Sequence, residues 1–223
     1  MNSAIKICVV GLGRAGNFHL HSIKLLSHFE LAYVVDANEK LAQSVAEEYG
    51  CKWSAQLEDV LQDDELDAVV VASPTDAHFD YIRLALQAGK HVFTEKPVGH
   101  SVNEIQTCFK LAREKNKALH LGFQRRVDKN FVALKQRLSE LGDYRIVKAS
   151  SRDNPKPSYE YLKISGNIFH DMLIHDFDML MFLFGALTPE SVHAIGHAYD
   201  TTIASFNDYD TVLVNIKFQN GMV

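Results

Sequence analysis

Six residues near the amino terminus, Gly11-Leu12-Gly13-Arg14-Ala15-Gly16, narrow what this chain can fold into more than any other stretch. They follow directly on an apolar run, residues 5–10, whose length suits a buried strand, and they open a segment of helical period. Each glycine has its own use: one for the tight turn, one to let a pyrophosphate approach the backbone, one for close packing of helix on sheet. The helix beginning here offers N–H donors and the positive end of its dipole to an anion. Asp36 stands twenty positions after Gly16, at the end of the next apolar run, where a carboxylate can accept both ribose hydroxyls. These features predict a dinucleotide site built on Gly11, Gly13, Arg14, Ala15, Gly16 and Asp36. Asp36 would repel a 2′-phosphate, and Ala37-Asn38-Glu39 supplies no arginine to clamp one, so NAD is expected, with NADP the alternative.

Strand-length apolar runs at 5–10, 31–35, 68–72, 91–94 and 118–121 alternate with amphipathic segments, the pattern of βα units around a parallel sheet. Helix boundaries are legible: Asn38 to Gly50, Thr75 to Gly89, and Ser101 to about Asn116. Beyond residue 121 the pattern changes to a helix over 128–141, a half-buried strand over 144–151, and a polar loop with Pro155 and Pro157. A strongly apolar helix over 168–184 and strands at 191–197 and 211–218 follow. The expected fold class is α/β: a Rossmann doubly wound parallel sheet in residues 1–121, followed by an α+β domain with a mostly antiparallel open sheet in residues 122–223. Because Asn220-Gly221 is a hairpin signal with no strand after it, the second domain is expected to be incomplete at its carboxyl end.

Lys96, in Glu95-Lys96-Pro97, emerges at the carboxyl edge of the predicted sheet, the edge where open α/β sheets bind ligands. An ammonium there can stabilise an alkoxide as hydride leaves its carbon, although the tripeptide alone equally describes a solvated loop lysine beside a turn proline. The apolar helix carries ionisable groups that burial disfavours. Among them Asp171 and His175 are four apart, so a carboxylate could set the tautomer of an imidazole base, or both could be core polar groups bonded to backbone. Asp176 and Asp178 are read as structural. Of the eleven histidines, His19/His21 and His170/His175 lack metal-ligand spacing, and His193 and His197 suit a strand surface, so no metal is assigned.

Composition removes other classes. With a formal charge of −5 and scattered basic residues, the chain has no face for a phosphate backbone, and nucleic acid is not an expected partner. Cys8, Cys51 and Cys108 are odd in number and far apart, which suits reduced thiols in the cytoplasm. The first apolar run is too short for a membrane span, and no membrane partner is expected.

Taken with GLGRAG, the segments ASPTDAH from Ala72, EKPVGHS from Glu95, GFQRR from Gly122 and the helix in SGNIFHDMLIHDFDML resemble the glucose-fructose oxidoreductase and inositol dehydrogenase (Gfo/Idh/MocA) family along essentially the whole chain. Ser151-Arg152-Asp153 and the segment from Tyr161 to Gly166 look most like its inositol 2-dehydrogenase branch. The resemblance implies an NAD-dependent dehydrogenase acting on the CH–OH groups of a cyclitol or sugar, myo-inositol or a related polyol. It places the catalytic lysine on Lys96, the aspartate on Asp171 and the histidine base on His175. Ser73, Thr75, His78, Glu95 and Gln124 would line the cofactor cleft, and Arg125 and Asp153 would join the three catalytic groups on substrate hydroxyls. It further implies a homo-oligomer formed through the second-domain sheet. The family is usually about a hundred residues longer, so two alternatives stand beside this one: a catalytically silent NAD-binding regulatory protein, and a relative acting on another sugar or a dihydrodiol.

Overall fold

Alternation along β1 (Ile5–Val10) fixes the layering of the first unit. Cys8 and Val10 belong to one buried cluster, Ile7 and Val9 to another, so both faces of the strand require cover. In the computed structural model, which describes residues 4–223, α1 (Arg14–Lys24) and α2 (Glu39–Tyr49) cover one face with Leu20, Ile23, Ala42, Val45 and Ala46. The other face is covered from α3 (Leu57–Val60), α4 (His78–Gln87) and α5 (Val102–Glu114) by Leu57, Val60, Ile82, Ala85, Leu86, Cys108 and Ala112. Between the layers lie β2 (Phe29–Val35), β3 (Lys52–Ser54), β4 (Ala68–Val71), β5 (His91–Thr94) and β6 (Leu119–Leu121). With β1 they form a parallel sheet in the order β3-β2-β1-β4-β5-β6. This is a doubly wound Rossmann sheet, and its order reverses between β1 and β4.

The helix ends follow local chemistry. Asn38 Oδ1 accepts from Leu41 N at 3.2 Å, and Gly50 closes α2 in the left-handed region. Ser101 and Glu104 form a capping box on α5. Thr75 departs from expectation: it begins a short 3₁₀ turn, Thr75–Ala77, and provides no side-chain cap for α4. The sequence reading also missed β3, because a three-residue edge strand with Lys52 and Trp53 exposed carries no apolar run.

The chain divides into two units after Gly122. In the second, a 3₁₀ turn (Gln124–Val127) leads to α6 (Lys129–Arg137), capped by Asp128; α7 (Tyr159–Ile164), α8 (Ile174–Phe184) and α9 (Thr201–Ser205) follow. Strands β7 (Pro189–His197) and β8 (Thr211–Phe218) pair antiparallel. The expected strand over 144–151 is absent. That segment is irregular, and its ladder bonds reduce to Val147 N donating to Val223 O at 2.9 Å and Val223 N to Arg145 O at 3.0 Å. Its alternation fitted a strand, but a ladder also needs a partner of matching length. The short helix α7 follows the expected polar loop, and α9 lies in a stretch for which no element was expected. Lys156 and the Tyr159 hydroxyl both donate to Asp200, at 2.6 and 2.8 Å, which ties the start of α7 to the cap of α9 and holds the Asp200 carboxyl well below its usual range.

Two arginines of the 3₁₀ turn compensate the acidic groups of α8. Arg125 Nη1 donates to Asp176 Oδ1 at 2.8 Å, which also accepts from the Ser151 hydroxyl at 2.7 Å. Arg126 grips the buried Asp178 with Nε on Oδ2 at 2.9 Å and Nη2 on Oδ1 at 2.5 Å. Both aspartates are therefore ion-paired within the second unit. Replacing Arg126 with Met strands a buried carboxylate. It is expected to destabilise the second unit by roughly 2–3 kcal/mol, less than a fully buried pair because Arg126 is half exposed. Hydrogen exchange resolved to α8 measures the loss, and Arg126→Met with Asp178→Leu should recover part of it.

Candidate nucleotide and catalytic site

The glycine turn sits where β1 and β4 end side by side. A Cβ on Gly11, whose φ is +88°, would lie 2.4 Å from Ser73 N, and one on Gly16 would lie 2.0 Å from Gly11 O. These two positions are closed by packing. Gly13 is exposed, at φ −69°, and a Cβ there would meet nothing within 4 Å. Gly13 is also the N-cap of α1; it supplies no side-chain cap, and the first turn of the helix carries no acid. The open backbone and uncapped helix end fit a dinucleotide's pyrophosphate. Arg14 is exposed, its guanidinium 6.0 Å from the Phe18 ring centroid, while Ala15 is half-buried.

Asp36, half-buried after β2, accepts from Leu12 N through Oδ2 and from Asn38 N through Oδ1, both at 2.9 Å. The carboxylate is thereby oriented by the glycine turn itself, and its remaining lone pairs suit the two hydroxyls of a ribose. NAD fits this donor set.

Glu95 and Lys96 follow β5, half-buried. Glu95 Oε1 lies 2.9 Å from His19 Nε2 on α1, and His19 packs edge-on against Phe93, which stacks on His120. Burial pushes the Glu95 carboxyl up, but the His19 hydrogen bond and the charges of His19 and Lys96 outweigh it and hold the group below its ordinary value. The sequence reading missed His19. There His19 is weighed, with His21, only as a metal ligand. Ser73 and Thr75 are half-buried on the segment after β4, whereas His78 is 2% exposed with both ring nitrogens on main-chain carbonyls.

In the second unit, α8 is preceded by one turn of π-helix, Phe169–Leu173, so the expected continuous α-helix over 168–184 is corrected. Asn167 starts this turn: its Oδ1 accepts from Phe169 N and His170 N, while Asp208 accepts from Ile168 N. Asp171 lies inside the π turn and His175 just beyond it, so their four-residue spacing is not that of a uniform α-helix. Asp171 Oδ1 accepts from the Tyr161 hydroxyl at 2.7 Å, a pairing that sequence reading did not anticipate. The half-buried His175 ring packs edge-on against Phe123 at 6.3 Å. Gln124 and Asp153 are exposed, and Arg125 is engaged with Asp176 and Ser151. Among the described residues no cluster of three His, Cys, Asp or Glu side chains could hold a metal, and no helix is long and apolar enough to cross a membrane.

The glycines separate packing from recognition. Gly16→Ala should cost about 3 kcal/mol or more by overpacking, read as a lower urea midpoint. Gly13→Ala should leave the midpoint unchanged and weaken NAD binding by calorimetry. The His19–Glu95 pair predicts a pH dependence. A carboxyl with a lowered folded pKa adds stability above its unfolded value, near pH ~4.3, and loses it as pH falls through the folded value. His19→Phe keeps the ring and removes the bond. The variant should melt below the parent near neutrality, by about 1 kcal/mol, with the gap closing below pH ~4.

Residues 5–123 match the family model described as "Oxidoreductase family, NAD-binding Rossmann fold", and residues 131–223 match the GFO/IDH/MocA C-terminal domain. The chain is 34% identical to an inositol 2-dehydrogenase of Rhizobium meliloti over 97% of its own length and 66% of the relative's. It is 33% identical to a scyllo-inositol 2-dehydrogenase (NAD(+)) of Bacillus subtilis, over 99% of its own length and 66% of the relative's. A crystal structure of scyllo-inositol dehydrogenase from Lactobacillus casei, with bound NAD(H) and scyllo-inositol, superposes with a TM-score of 0.90 at 28% identity, covering 99% of this chain and 68% of that one. The chain thus spans about 66% of the length of the curated relatives it matches. Its glycine turn, its sheet order and both family matches agree, and the chain belongs to the GFO/IDH/MocA oxidoreductase family, with the NAD-binding Rossmann fold as its first unit.

Proposed function

We propose that this chain oxidises a secondary alcohol of a cyclitol, myo-inositol or a related polyol, with NAD as acceptor. The observation that carries this reading is the placement of Lys96 directly after β5, on the same carboxyl edge as the glycine turn and Asp36. The inositol dehydrogenases among the relatives support the substrate class. In this reading, as the family resemblance implies, His175 is the base for the hydroxyl proton, and Lys96 is the ammonium that stabilises developing alkoxide charge. Asp171, whose Oδ1 accepts from Tyr161, is the carboxylate assigned to orient the imidazole in this reading. NAD, when bound, supplies the acceptor for the hydride leaving the carbinol carbon, so that alcohol becomes ketone and the proton leaves through His175.

Gly11, Gly13, Arg14, Ala15 and Gly16 would cradle the pyrophosphate and Asp36 the ribose, with Ser73, Thr75, Glu95 and Gln124 along the cofactor. Asp153, exposed, remains a substrate contact in this reading. Arg125, bonded to Asp176 and Ser151, is kept as a substrate contact beside it. Exposed apolar side chains on β7 and β8, Val192, Ile195 and Leu213, are the observation behind a homo-oligomer formed through this sheet. Buried Cys8 and Cys108, the latter with its thiol pushed up to about 11 by burial, suit a reducing cytoplasm.

NADH formation with a panel of inositols and aldoses tests the proposal. Turnover is expected with at least one inositol, and Lys96→Met and His175→Ala should each lower kcat by about 10²–10⁴. Tight NAD binding without turnover of any polyol would replace the reading with a catalytically silent NAD-binding protein.

A further inference from the structure

His78 is nearly inaccessible, at 2% exposure, yet both of its ring nitrogens face main-chain oxygens. Nδ1 lies 2.6 Å from the Pro97 carbonyl oxygen and Nε2 2.9 Å from that of Ser73. A ring with one N–H can serve one of these carbonyls at a time, and a ring carrying both protons can serve the two together. The two acceptors belong to different loops of the sheet's carboxyl edge. Ser73 follows β4 and is the backbone against which Gly11 packs, with a would-be Cβ–N distance of 2.4 Å. Pro97 follows β5 and is joined directly to Lys96. One imidazole therefore links the pyrophosphate turn to the lysine loop.

The rest of that loop is anchored from other directions. Glu95 is held by His19, and the backbone N–H groups of His100 and Ser101 donate to Glu104, at 2.7 and 3.2 Å. A second bridge between the same loops, His100 to Asp76 at 2.8 Å, is exposed and adds little. The buried bridge falls beside the residue whose aim matters, between the anchors at Glu95 and Ser101. A small displacement of a catalytic group can cost a hundredfold in rate, so a fixed carbonyl beside Lys96 has a direct chemical consequence.

We infer that His78 is a positioning residue, a buried clamp between the Ser73 and Pro97 carbonyls that fixes the Lys96 loop on the nucleotide turn. The clamp rests on the proposed dehydrogenase reading only for its effect on rate. His78→Phe keeps the ring volume and removes both nitrogens, and His78→Gln restores an N–H donor. In the Phe variant, hydrogen exchange over residues 95–100 should quicken about tenfold or more, as expected for the loss of ordinary internal hydrogen bonds, while β1 and β2 keep their protection. The Gln variant should fall between. With NAD and an accepted inositol, kcat should drop ten- to a hundredfold, roughly the cost of a misplaced catalytic group, and the Kd for NAD should change much less.

Unchanged exchange over residues 95–100 in folded His78→Phe overturns the clamp. In the unsubstituted chain, a His78 ring N–H signal should be visible by NMR, protected from water. A signal lost to rapid exchange overturns the clamp whether or not the variants fold. If the chain turns over no polyol and the loop still loosens in His78→Phe, the clamp stands and the dehydrogenase reading falls. If it turns over inositol and loop exchange is blind to His78, the reverse holds.

Discussion

Where β1 and β4 end side by side, the backbone of Gly11 meets the backbone of Ser73 with no room for a side chain between them. Much of the nucleotide site depends on this approach. It brings the turn after β1 to the point where the sheet order reverses, and it lets Gly16 tuck against Gly11 so that α1 begins immediately. Leu12 N is then in place to orient Asp36. Gly13, the one glycine of the three not enclosed by packing, is left facing outward. The apolar layers on both faces of the sheet supply the rigidity, because close-packed interiors do not yield to small displacements.

The second unit solves a different problem. Its apolar helix carries ionisable groups that would be costly if left unpaired, and the fold answers most of them with partners outside the helix. Asp178 and Asp176 are met by Arg126 and Arg125, Asp171 by Tyr161, and the start of the helix by Asn167 and Asp208. The π turn at Phe169–Leu173 lies within this framework. Such turns are frequent at functional sites, where they shift the register of side chains on an otherwise regular helix.

Periodicity reached some features and not others for physical reasons. Runs such as Val69-Val70-Val71 declare a strand because both faces must be buried, whereas Lys52-Trp53-Ser54 at the sheet edge is held by β2 alone and carries no such mark. The stretch 144–151 had the right alternation, but a strand is a relation between two segments, and among the described residues only Val223 meets it through the main chain. His78 lies within the recognisable ASPTDAH segment and was read as lining the cofactor cleft. Its burial beneath two carbonyls depends on loops that converge only after the sheet has formed.

What the sequence determined by itself was local or periodic. The glycine spacing, the carboxylate twenty residues on, the caps Asn38 and Ser101, and the Lys96 tripeptide after a strand were all legible because each needs only neighbours along the chain. The tertiary structure decided which polar groups hold which. The pairs His19 with Glu95, Arg126 with Asp178 and His78 with the Pro97 carbonyl span from 19 to 76 residues. Hydrogen bonds of that reach follow from where strands and helices pack, and no local pattern encodes them.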